Sequence, residues 1–114
     1  LPNQTKRIAR RASLGLARLG SSSGNGSGDI FIAFSTANAN SAKPPSGLAT
    51  LSMLPNDALG PIFDATVQAT EEAIVNAMVA AQDMTGIDGH KVTALPHDGL
   101  QQVLKKYNRL ANAR

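Results

Sequence analysis

Apolar residues recur along the first nineteen positions at helical spacing. Ile8, Ala12, Leu16 and Leu19 follow one another at intervals of four, four and three, which places them on one helical face. Pro2 suits a first helical position, and Gly20 suits the residue that ends a helix. A helix over Pro2–Leu19 is predicted, locally weakened by Gly15. The pattern then changes. Ile30-Phe31-Ile32-Ala33-Phe34 is a near-continuous apolar run, as expected of a strand covered on both faces. Leu48–Leu54 is a second strand candidate. Pro55-Asn56-Asp57 gives a turn and a cap, and a long helix is predicted from Pro61 to Met84. Phe63, Val67, Thr70, Ile74, Ala77 and Ala81 form its stripe. Ala65, Ala69, Ala73 and Ala80 widen a small-residue surface that a second helix could approach. Asp88-Gly89 marks a turn, and Lys91–Leu95 a short strand. Pro96 opens a last helix with Leu100, Val103, Leu104 and Tyr107 on one face.

Helix, strands, long helix, short strand, helix is the order of an α+β layered architecture, and residues 1–114 read as one domain segment. One apolar strand face needs a second sheet. With 114 residues the chain buries proportionately little of its own surface, so a partner polypeptide fits its size.

Charge adds little to this picture. The net charge is +3, but Lys6, Arg7, Arg10, Arg11 and Arg18 all sit in the first helix. No aromatic residue interleaves them, which argues against nucleic-acid binding. The reading is a solvated face or a contact with an acidic partner subunit. The absence of Cys excludes a thiolate nucleophile, a disulfide framework and a cysteine zinc site. No apolar run reaches the length of a membrane span. His90, His97, Asp88 and Asp98 lack compact metal-ligand spacing, so no metal is expected. Glu71 and Glu72 point different ways on a helix and do not make an acid/base pair. His97 reads as a capping or packing residue.

Candidate chemistry concentrates in Gly24-Asn25-Gly26-Ser27-Gly28-Asp29. Its alternating glycines leave backbone N–H groups accessible and let another group come close. Ser27 and Asp29, two apart, share one side of an extended chain at the mouth of the apolar strand. The loop lacks the Lys of a phosphate-binding P-loop, and it precedes a strand, opposite to a dinucleotide fingerprint. Asn25 and Asp29 stand where a nucleophile elbow requires Gly. On spacing alone, an ordinary Asx- or Ser-turn competes with a catalytic loop.

The run Asn25 to Asn38, Asn-Gly-Ser-Gly-Asp-Ile-Phe-Ile-Ala-Phe-Ser-Thr-Ala-Asn, resembles the signature of the DmpA-type L-aminopeptidase/D-esterases, a family that includes β-aminopeptidases. Arg10-Arg11, Gly15–Arg18, Met53–Asp57, Ala65–Ile74 and Ala94–Asp98 resemble it in the same register. The resemblance implies a four-layer αββα sandwich, like the N-terminal-nucleophile hydrolases, of which this chain supplies part. It implies a precursor that cuts itself into a larger and a smaller subunit, assembled as a tetramer of heterodimers. It further implies a soluble bacterial-type enzyme, cytoplasmic or periplasmic, without metal or organic cofactor. Its substrates would be short peptides, amino-acid amides or esters.

The nucleophile implied is a Ser at the start of the smaller subunit, whose own amino group titrates near neutrality and serves as base. That Ser is expected just upstream of Leu1, so these residues alone are expected to be inactive. By the same resemblance Ser27 would hydrogen-bond the nucleophile, Asp29 would orient that network, Gly26 and Gly28 would permit close approach, and Asn25 would hold the loop. Oxyanion and amine-binding groups are expected mainly outside this sequence. A same-fold acyltransferase of the ornithine acetyltransferase kind is the alternative enzyme, distinguished by a Thr nucleophile. A non-enzymatic module using the basic helix is the alternative from another class.

Overall fold

The computed structural model describes residues 1–39, 41 and 46–111. They group into two compact units, Leu1–Glu72 and Ala73–Arg114.

In the first unit, α1 spans Pro2–Arg18. It ends where Gly20 takes φ +93° and donates its N–H to the Ala17 carbonyl at 2.9 Å, the left-handed stop that glycine adopts without strain. A 3₁₀ turn over Asn56–Leu59 leads into α2, which spans Gly60–Ala80. Leu59 and Val67 are buried, and Phe63, Thr70 and Ile74 of the predicted stripe are half-buried. Ala77 and Ala81 are exposed.

The two helices of this unit meet at Gly15, which is itself buried. A Cβ there would lie 2.6 Å from the Val67 carbonyl oxygen and 2.7 Å from Thr70 Cβ. Gly15 is therefore the contact point, and the approach uses the glycine of α1 rather than the alanine surface of α2. Arg18 closes the contact with an ion pair to Glu71 at 3.0 Å. Gln4, 5% exposed, ties α1 to the chain before the 3₁₀ turn. Its Nε2 donates to the Leu54 carbonyl at 2.6 Å and to Asn56 Oδ1 at 3.1 Å.

The predicted strands of this unit are corrected. Neither 30–34 nor 48–54 belongs to a hydrogen-bonded ladder among the described residues. A ladder needs a neighbouring strand to supply its N–H and C=O partners, and no described segment lies alongside them in that way. Exposure still alternates as a strand's would. Ile30, Ile32 and Phe34 are 82%, 84% and 84% exposed, whereas Phe31 is 37% exposed and Ala33 half-buried. The expectation of cover on both faces therefore fails within this chain: one face is partly covered, the other bare.

In the second unit, β1 (Met84–Thr85) pairs antiparallel with β2 (Lys91–Val92), Met84 opposite Val92 and Thr85 opposite Lys91. The predicted turn at Asp88-Gly89 is present, with φ +56° and +75°. The long helix stops at Ala80 rather than Met84, because Met84 and Thr85 take ladder partners instead of continuing the helix. The strand expected over Lys91–Leu95 is confined to its first two residues for the same reason: Met84–Thr85 offers only two partners. Asp83 replaces the ladder beyond that point. Its carboxylate accepts from the Ala94 N–H at 2.9 Å and pairs with Lys91 at 3.3 Å. The last helix, α3, spans His97–Lys106. His97 Nε2 lies 2.9 Å from the Val79 carbonyl, in the last turn of α2, where carbonyls lack helical donors. The capping role read for His97 thus has a specific partner.

Candidate functional site

The glycine-rich loop begins just after α1 and turns at Asn25-Gly26, where the Ser27 N–H donates to the Gly24 carbonyl at 2.8 Å. Ser27 Oγ then accepts from the Asp29 N–H at 3.2 Å. This is the short Ser-turn that the two-residue spacing permits. It has a chemical consequence: the Ser27 oxygen is polarised by an amide donor while its own proton remains available to donate. Among the described residues the Asp29 carboxylate has no hydrogen-bond or ion-pair partner. Asn25, Gly26, Ser27, Gly28 and Asp29 are all exposed.

A Cβ placed on Gly26 or Gly28 would meet nothing within 4 Å. The room for a close approach exists, but no described segment of this chain occupies it. The structure therefore brings Ser27 and Asp29 together through the backbone and leaves the outward side of both open. Among the described residues no His, Lys or second hydroxyl hydrogen-bonds to either of them. Of the described residues, no three His, Asp or Glu side chains gather closely enough to hold a metal ion. No helix of the described residues is long and apolar enough to cross a membrane.

At the far end of the apolar segment, a cleft of about 310 Å³ is lined by Leu1, Gln4, Ile8, Phe34, Met53 and Leu59, among others. Neither Ser27 nor Asp29 lines it. Asn38 stands on its rim and clamps two chain segments. Its Nδ2 donates to the Ser52 carbonyl at 2.9 Å, and its Oδ1 accepts from the Ser52 N–H at 2.8 Å. Asn38 thus stands in for a strand residue's backbone, joining the segments read as two strands. Its local sequence carries no signal for this, because the partner lies fourteen positions away. Gln4 escapes the sequence reading for the same reason. A long polar residue on a basic helix reads as solvated until the Leu54 carbonyl is placed against it.

Comparison with known proteins gives this arrangement its setting. The chain is 52% identical over its whole length to the β-peptidyl aminopeptidase BapA of Sphingosinicella microcystinivorans, of which it spans 29%. It is 42% identical over 109 residues to the BapA of Sphingosinicella xenopeptidilytica, covering 92% of this chain and 26% of that protein. Among solved structures it resembles the L-aminopeptidase D-Ala-esterase/amidase of Ochrobactrum anthropi, described as a prototype serine aminopeptidase and a variant of the Ntn hydrolase fold. The TM-score is 0.81 and the identity 45%, over 96% of this chain and 31% of that one. A β-aminopeptidase of Burkholderia sp. gives a TM-score of 0.78 at 40% identity, over 93% and 31%. The chain spans about three-tenths of the length of these relatives and carries a corresponding part of their αββα fold. Residues 1–92 match Peptidase family S58, and the chain belongs to that family.

Proposed function

We propose that this chain is part of a serine aminopeptidase that releases N-terminal residues from short peptides, amino-acid amides or esters through an acyl-enzyme. The observation that carries the reading is the open Ser27–Asp29 pair, in a chain 52% identical throughout to a β-peptidyl aminopeptidase. Within this reading the attacking serine lies outside these 114 residues, at the start of the smaller subunit of a self-cleaved precursor. Its free amino group is the base. An α-amine titrates near pH 8 in isolation, low enough to be partly neutral under physiological conditions.

Ser27 then serves as a donor. With its oxygen already accepting from the Asp29 amide, its proton is directed outward to the oxygen or nitrogen of the nucleophilic residue. Asp29 stabilises the ammonium that forms when that amine takes the hydroxyl proton. Gly26 and Gly28 admit the nucleophile-bearing strand, because neither presents a side chain. Asn25 shapes the turn that sets Ser27. No metal or organic cofactor enters the scheme.

The larger subunit of the same precursor is the proposed partner, and the bare Ile30, Ile32 and Phe34 face suits burial against it. Each such side chain contributes about 1.5–3 kcal/mol when taken from water. The assembled form is a tetramer of such heterodimers.

The test is Ser27→Ala and Asp29→Ala, separately, in the full precursor. Self-cleavage is followed by intact mass and hydrolysis by release of the N-terminal residue. Each variant is expected to lose roughly 10²–10⁴-fold in rate, the usual worth of a positioned proton-handling group. Normal processing and normal hydrolysis in both would sink the assignment.

A further inference from the structure

Two arginines of α1 are held in place by neutral groups. Arg7 and Arg11 are four apart and share a helical face. Both guanidiniums lie over the ring of Phe63, Arg11 at 3.9 Å and Arg7 at 5.1 Å from its centroid. Each makes one further hydrogen bond, Arg11 Nη1 to the Arg7 carbonyl at 2.9 Å and Arg7 Nη1 to Asn56 Oδ1 at 3.4 Å. A guanidinium carries five N–H donors, so most of the donors on each remain unused. The ion pairs among the described residues are Arg18–Glu71 and Lys91–Asp83. Asp57 and Asp64, the acidic residues nearest Asn56 and Phe63 in sequence, are in neither.

Phe63 lies in the first turn of α2, which follows directly on the 3₁₀ turn over Asn56–Leu59. The first turns of α1 and α2 contain no acidic side chain, and Asp57 of the 3₁₀ turn is in no ion pair among the described residues. Like charges four apart on a helix repel, and among the described residues the direct partners of these two are the Phe63 ring and two neutral oxygens. Both arginines are half-buried, so their side chains have already lost much of the freedom that anion capture would cost.

We propose that Arg7 and Arg11, held on Phe63 beside the α2 N-terminus, form a binding site for a small oxyanion of the phosphate type. The geometry suits such an ion. Two planar guanidinium forks held within 5.1 Å of one ring centroid keep unused donors close together, a pairing that matches the several oxygens of a tetrahedral oxyanion better than a spherical chloride. The site is independent of the hydrolytic reading, because it uses neither Ser27 nor Asp29.

The experiment titrates the full-length protein with inorganic phosphate against chloride at matched ionic strength and pH 7. Binding heat and the thermal unfolding midpoint are both followed. Phosphate is expected to bind saturably and to raise the midpoint as mass action requires, with no such response to chloride. Arg7→Lys with Arg11→Lys keeps the charge but removes the fork, and is expected to weaken binding about tenfold or more. Lys6→Gln with Arg10→Gln removes charge from the same helix but leaves both forks, and is expected to weaken binding less than the Lys pair does. Absence of saturable phosphate binding to the unaltered protein overturns the proposal. A loss in the Lys6→Gln/Arg10→Gln variant as large as or larger than that in the Arg7→Lys/Arg11→Lys variant would also overturn it, since diffuse attraction to a basic helix follows charge rather than the fork. The titration of the unaltered protein decides the matter even where a variant fails to fold.

Discussion

Replacement of Gly15 by Ala tests the packing of the first unit, because two effects of opposite sign meet there. Gly15 lies inside α1, where Ala is intrinsically favoured over Gly by about 1 kcal/mol. Considered as an isolated helix, α1 should gain. The added Cβ would nevertheless sit 2.6 Å from the Val67 carbonyl oxygen, 2.7 Å from Thr70 Cβ and 3.1 Å from the Glu71 nitrogen. Comfortable carbon contacts need about 3.5–4.0 Å. Two of the three obstructing atoms are backbone. They are also the acceptor and donor positions of one i to i+4 pair in α2, so no side-chain rotation relieves the clash.

The helices must therefore move apart by roughly 1 Å, loosening the Arg11–Phe63 and Arg18–Glu71 contacts that span them. Overpacking of this kind costs about 1–3 kcal/mol, and more when only backbone can yield. The net expectation is a loss of about 1–2 kcal/mol despite the better helix former. Gly99→Ala in α3 supplies the contrast, since its Cβ would stand 3.7 Å from Pro96 Cγ, an ordinary contact. That variant should be neutral or gain up to about 1 kcal/mol. Urea denaturation of both variants, followed by far-ultraviolet circular dichroism, measures the difference. A Gly15→Ala protein as stable as the unaltered one would refute the close approach of α1 to α2.

Two further outcomes follow from the polar contacts. Gln4→Ala removes the buried donor to the Leu54 carbonyl and to Asn56, and should cost about 1–3 kcal/mol in the same denaturation assay. Gln4→Glu keeps the oxygen that accepts from the Leu1 nitrogen at 3.1 Å but loses the Nε2 donor, and full stability in both variants would contradict the bonding pattern. Asp83 has its carboxyl pulled below the ordinary 3.8 by the Ala94 N–H and then by Lys91. A depressed carboxylate stabilises the fold above its unfolded value and loses that contribution as pH falls through the folded one. The hairpin contact should thus persist through neutral pH and disappear only in the acid range below 3.8. The Ala94 amide resonance reports it, and a transition centred at or above 3.8 would overturn the assignment.

The helices were legible because the periodicity that marks them is local. The stripe of α1, the glycine stop at Gly20 and the apolar positions of α3 depend on neighbours three and four residues away, which sequence displays directly. The Ser27–Asp29 turn was legible for the same reason, its bond spanning two residues. Resemblance along the chain then pointed to the family to which residues 1–92 belong.

What the sequence could not display is which groups meet across long separations. The apolar runs 30–34 and 48–54 have strand character, but a ladder requires a partner, and the sequence does not say where one lies. Asn38 bonding the Ser52 backbone, Gln4 reaching Leu54 and two arginines sharing the Phe63 ring are all such meetings. Gly15 shows the difference most sharply. Along the chain it is a weak point in a helix, and only the position of α2 makes it the residue that a methyl group cannot replace. Local spacing determines which conformations the backbone favours. Tertiary structure alone decides which polar and small residues those conformations bring within reach, because contact energies fall away within a few ångströms and chain separation does not measure distance in space.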